Sequence, residues 1–95
     1  MHNVQTALGM VVKATAGRDK GKFFVVVKID GPFVWLADGK SRRLAAPKKK
    51  KVIHIEPTND ILSGIANKIC EKKQIFDSEL KSALRNYNES NGGTF

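Results

Sequence analysis

Lys22–Asp30 alternates along its whole length. Phe23, Val25, Val27 and Ile29 make one wholly apolar face, while Lys22, Phe24, Val26 and Lys28 make a mixed one. A period of two is that of a β-strand, whose successive side chains point to opposite faces. The first set is the expected core, and Phe24 and Val26 stay partly exposed unless something covers them. Ahead of this strand lies Ala16-Gly17-Arg18-Asp19-Lys20-Gly21, and ahead of that the apolar run Met10–Thr15, a first strand. Gly17 and Gly21 can take the positive φ that a Cβ resists. The six residues therefore predict a tight loop that turns Arg18, Asp19 and Lys20 towards solvent. Read alone, such a loop fits a charged hairpin turn as well as a device that grips phosphate.

Asp30-Gly31 and Asp38-Gly39 are both hairpin signals. Between them Phe33–Ala37 reads as a strand, with Ser41–Leu44 as its return partner and Lys51–Ile55 as the last strand, ending at Glu56-Pro57. Either Val52 or Ile53 joins Ile55 in the core, depending on a bulge. Short strands joined by tight turns predict a small closed or nearly closed five-stranded barrel. At Pro57 the period lengthens to that of a helix. Thr58 or Asn59 can cap it, and Ile61, Leu62, Ile65, Ala66 and Ile69 form its apolar stripe. A second helix starts at Asp77, with Leu80, Ala83, Leu84 and Tyr87 on its apolar side. The expected class is mostly β with α. Residues 1–57 form the barrel, 58–87 a helical extension covering the face that bears Phe24 and Val26, and 88–95 a frayed tail.

The charge is divided as sharply as the periodicity. Residues 1–56 hold twelve Lys and Arg against four acids, whereas residues 57–95 hold five of each. All of the formal net charge of +8 thus sits in the front part, which points to a polyanionic partner there. The excess forms three clusters: Arg18, Lys20 and Lys22 beside the glycines, Arg42 and Arg43, and the run Lys48, Lys49, Lys50 and Lys51. Alternation along a strand would aim some of these lysines across the same rim as the arginines. Trp35 and Phe33 lie on a neighbouring strand. Core packing is the more ordinary fate of strand aromatics, and Trp35 is the candidate for stacking a base.

Other chemistries find little footing. Gly17-Arg18-Asp19-Lys20-Gly21-Lys22 is one residue short of a nucleotide-binding P-loop, and Phe23 stands where that loop needs Ser or Thr. Pro47 followed by four lysines resembles a nuclear-import signal, but its place entering a strand argues against that use. His2 and His54 are the only histidines, with no second carboxylate or cysteine at ligand spacing, so neither a metal nor a cofactor is expected. In a chain of 95 residues the core is small and a catalytic cleft unexpected. The single Cys70 is expected to be a small buried thiol and suits a reducing cytosol. No apolar run exceeds Phe23–Val27, and Met1–Gln5 lacks the start of a secretory signal, so the expected setting is cytoplasmic, away from membranes.

The stretch from Gly9-Met10-Val11-Val12 through Ala16-Gly17-Arg18-Asp19-Lys20-Gly21-Lys22 to Ile29 resembles the KOW motif, the strand–loop–strand of many ribosomal proteins and of NusG-type transcription factors. Val34-Trp35-Leu36-Ala37-Asp38-Gly39, Arg42-Arg43 and His54-Ile55-Glu56-Pro57-Thr58 look like the archaeal and eukaryotic-type large-subunit proteins of the L14e/L6e/L27e-like group. NusG-type members often carry a further glycine where Phe23 and Phe24 stand here. The resemblance covers residues 6–58 and implies an SH3-like barrel. It also implies RNA binding, usually of ribosomal RNA, with Gly17 and Gly21 as the loop glycines and Arg18, Lys20 and Lys22 at the contact. The expected protein is monomeric when free. A rival expectation is a module that docks on a ribosomal protein or RNA polymerase, motivated by the neutral back half.

Overall fold

The computed structural model describes residues 5–92. Five strands, β1 (Met10–Ala14), β2 (Phe23–Asp30), β3 (Phe33–Ala37), β4 (Lys48–Lys51) and β5 (Ile55–Ile61), make one antiparallel sheet in the order β4-β3-β2-β1-β5. Two helices follow, α1 (Ser63–Cys70) and α2 (Asp77–Gly92). None of the described helices is long and apolar enough to cross a membrane.

The sheet is curled but not closed. Its edges, β4 and β5, are joined only by the 3-10 turn Val52–His54. Five flat strands would hold their edges about 19 Å apart, whereas the backbone from Lys51 to Ile55 reaches at most about 14 Å. The strands therefore bend round one another at that end. Even so, β4 and β5 share no ladder, and the expected barrel is an open, curled sheet.

The curl gives the sheet two differently filled faces. On the inner face Met10, Val12, Ala14, Phe24, Val26, Val34, Leu36 and Ile55 form one buried cluster, with Val52 packed against it. On the outer face Val11, Phe23, Val25 and Ala37 meet Ile65 of α1 and Leu80 and Leu84 of α2. The assignment expected for β2 is reversed. Phe24 and Val26 are fully buried by the strands themselves, and the helices cover Phe23, Val25 and Val27. A bulge between Val26 and Lys28 then shifts the alternation, leaving Ile29 38% exposed instead of in the core.

Three boundaries depart from the expectation for local reasons. Pro57 does not end the strand, because β5 is an edge and its missing N–H costs no ladder bond. Thr58 and Asn59 are not caps but lie in a bulge of β5 opposite Val11. Asn59 takes φ +72° there, and the Thr58 hydroxyl donates to the Val11 carbonyl at 2.7 Å. Helix α1 accordingly begins at Ser63. Ser41–Leu44 forms no strand, since the Asp38 carboxylate organises a longer loop by accepting the N–H groups of Lys40 and Arg42 and the Ser41 hydroxyl. The return partner of β3 is the lysine run itself, paired Phe33 with Lys51 through Leu36 with Lys48.

The hairpin expected at Asp30-Gly31 forms one residue later: Asp30 pairs with Phe33, so the turn residues are Gly31, at φ +58°, and Pro32. Helix α2 starts at Asp77 as its pattern predicts, but it runs on to Gly92, so residues 88–92 are helical instead of frayed. Residues 93–95 of the expected tail, and His2, lie outside the described residues. Cys70 is exposed, not buried.

Candidate functional site

The β1–β2 loop is closed by its own backbone. Gly21 N–H donates to the Ala14 carbonyl at 2.8 Å and Ala14 N–H to the Lys22 carbonyl at 2.9 Å. Gly17 and Gly21 take φ +80° and +90°, the conformations for which glycine is suited. Arg18, Lys20 and Lys22 are exposed on this frame. Asp19 is not. It is only 5% exposed, and its Oδ2 accepts from Arg42 Nη2 at 2.9 Å and Nε at 3.2 Å. Arg42 thus ties the β1–β2 loop to the β3–β4 loop, and its charge is largely spent on that tie. Its neighbour Arg43 is exposed.

The lysine run divides between the two faces. By register Lys48 and Lys50 lie opposite Leu36 and Val34, on the inner side. Lys50 extends to the glycine loop, where a Cβ on Gly17 would stand 3.4 Å from its Nζ. Lys49 and Lys51 lie on the outer side, opposite Trp35 and Phe33. Lys49 Nζ stands 4.3 Å from the Phe33 ring centre and 5.5 Å from that of Trp35, which Lys28 Nζ approaches to 4.6 Å. Neither ring belongs to a core cluster, and both are half-buried beneath these lysines. Lys50, Arg18, Lys20, Lys22 and Arg42 are therefore gathered near one loop, whereas Lys49, Lys51 and Trp35 are on another side.

A cleft of about 380 Å³ lies between the β1–β2 loop, the β3–β4 loop and α2. Lys20, Lys22, Lys40, Ser41, Asp38 and Asn88 line it. It runs into a smaller hollow of about 100 Å³ that shares Asp38, Lys40 and Asn88 and adds Lys81, Leu84 and Arg85. Asn88 holds the wall in place by bonding as a strand would, accepting Phe23 N–H at 2.9 Å and donating to its carbonyl at 3.3 Å. Among the described residues, Lys20, Lys22, Lys40 and Lys81 have no carboxylate within ion-pair distance.

Lys40, Lys81 and Asn88 are absent from the residues singled out in the sequence. Lys40 carries a signal, since it follows a turn dipeptide beside two arginines. Lys81 sits where charge balances on paper but not in space. Among the described acids of the back half, Glu79 is engaged by Lys68 at 2.7 Å, Glu71 by Lys73 at 3.0 Å, and Asp77 by Leu44 N–H at 2.7 Å, and none of them pairs with Lys81. The Tyr87 hydroxyl donates to the Asp60 carboxylate, which holds the phenol above its ordinary pKa. No family model matches the chain, and comparison with curated proteins also gives no match.

Proposed function

We propose that this chain is a non-catalytic RNA-binding module of the KOW class, an SH3-like relative of ribosomal proteins acting in the cytoplasm on ribosomal RNA. The observation that carries the reading is the approach of Lys50 to the Gly17 loop. With it, cations from two separate segments face one rim, and the Asp19–Arg42 pair holds that rim in shape. Its mechanism is binding: ammonium and guanidinium groups displace counterions from phosphates while the closed loop presents them at fixed spacing. Structured RNA suits it better than DNA, because the cations of this rim stand on loops and an edge strand and not on a helix offered to a major groove.

The test is salt dependence with an RNA stem-loop. With about five or six phosphate contacts, affinity falls by about three decades between 50 and 200 mM salt. Replacing Lys48–Lys51 by Ser flattens that slope without unfolding the chain, since these side chains lie on an edge strand. A slope equal to that of the unaltered protein would remove the lysine run from the site.

A further inference from the structure

The groove between the two loops and α2 has the chemistry of a polyanion track. Lys20 and Lys22 stand on one wall, Lys40 and Ser41 on the second, and Lys81 on the third. Among the described residues, Asp38 is the one carboxylate lining it. That group is 7% exposed, and its oxygens are already occupied by three donors of its own loop, so it shapes the floor more than it repels an anion. Among the described residues the four ammonium groups have no carboxylate within ion-pair distance, and Ser41 and Asn88 add polar lining to the same space. At about 380 Å³ the cleft suits one nucleotide unit and is too narrow for a duplex.

We propose that this groove holds the backbone of a single RNA strand, so that α2, through Lys81, forms part of the RNA site as well as covering the sheet. The inference rests on the RNA-binding reading above and adds to it a strand path and a contact residue. A stem-loop leaves unpaired nucleotides beside its helix, and these are what a narrow cationic groove can take. Gripping at the β1–β2 loop would deliver them to Lys20 and Lys22, where the groove begins.

The experiment compares three full-length proteins binding a 12-nucleotide oligouridylate: unaltered, Lys40→Gln/Lys81→Gln, and Lys48–Lys51→Ser. Removing one phosphate-binding cation lowers the salt slope by about 0.7 and, at 0.1 M salt, affinity about fivefold. The groove pair should therefore bind about 25-fold more weakly, with an unchanged melting temperature because both lysines are exposed. Lys40→Arg/Lys81→Arg keeps the charge and should bind like the unaltered protein; weakening there as well would mark a packing effect and overturn the proposal. If the serine variant is weakened and the groove pair is not, RNA binding stands and the groove is not its path. If the unaltered protein shows no affinity for this strand or for the stem-loop, both readings fall together. Saturation by uridine 5′-monophosphate at micromolar concentration, with no advantage for the 12-mer, would make the groove a nucleotide pocket and overturn the strand path.

Discussion

The two faces of the sheet reach burial by opposite means. The inner face is filled by strands alone, its large members Phe24 and Leu36 sealed by the curl and by the 3-10 turn. The outer face cannot seal itself. Phe23, Val25 and Val11 are buried only where Ile65, Leu80 and Leu84 lie over them. Where the helices stop, Phe33 and Trp35 remain half-buried, with Lys28 and Lys49 over their rings. The helical segment is therefore a necessary half of a core, and its borders decide which part of the sheet is left for a ligand.

The hardest test of that contrast removes the helices. A chain ending at Leu62 should fail to fold cooperatively, because Phe23, Val25 and Ala37 would face water while the inner face stayed nominally complete. Circular dichroism and a urea titration would show it. A sharp two-state transition in that fragment would mean that the inner face is a sufficient core.

Gly39→Ala should follow in size. Gly39 takes φ +78°, and a Cβ there would stand 2.1 Å from the Asp77 carbonyl oxygen in the first turn of α2. The left-handed backbone costs about 1–2 kcal/mol for any other residue, and the collision with backbone adds to it. A total loss of about 3 kcal/mol or more in denaturant stability is expected. A loss below about 1 kcal/mol would show that the β3–β4 loop docks loosely on the outer-face helices.

Arg42→Gln probes a junction that involves neither helix. It strands the Asp19 carboxylate, 7% exposed, without its counter-charge. Because Arg42 is itself 30% exposed, the loss is discounted to about 1–2 kcal/mol. Adding Asp19→Asn should recover much of it, a coupling that a double-mutant cycle measures. If Arg42→Gln instead cut RNA affinity tenfold at unchanged stability, Arg42 would be a direct phosphate contact.

Much of this is legible in the chain, and the failures share a cause. Strand β2, the hairpin after Asp30, the positive φ at Gly17 and Gly21 and the start of α2 at Asp77 all follow from local chemistry, and all are found. Which side of β2 is inner does not follow. Period two fixes that Phe23 and Phe24 oppose each other, but with a Phe and a Val on each side it is silent on which one the curl encloses, and the lysines at the two ends of the mixed side mislead. Pro57 misleads because a proline that ends an inner strand is harmless on an edge. The loop at 38–47 is hidden in the Asp38 side chain, whose three hydrogen bonds override a turn signal read from backbone preference. The rim at Gly17 is expected as a convergence of charges, yet Asp19 and Arg42 turn inward and neutralise each other. The groove is invisible in the sequence because it is assembled from residues 20 to 88, across the boundary at which the charge excess stops.

The smallest effect belongs to the outer-face cover itself, where pH separates a helix–helix tie from the sheet. Glu79 accepts from Lys68 of α1 at 2.7 Å and from Phe76 N–H at 3.0 Å, so one carboxylate joins the two helices and closes the first turn of α2. Lys68, and then the Phe76 N–H, hold its pKa below the ordinary glutamate value. A carboxyl whose folded pKa is depressed adds stability that is complete above its unfolded pKa and lost as pH falls through the folded one. Glu79→Gln should therefore lower the melting temperature slightly at neutral pH, with the gap to the unaltered protein closing as pH drops below the glutamate range. Subtracting one melting series from the other cancels every pH effect that the two proteins share. A gap that persists undiminished at acid pH would mean that the residue acts through packing and not charge, and the tie between α1 and α2 would then have to be sought in the apolar cluster of Ile65, Leu80 and Leu84 with Ile69 and Ala83 beside them.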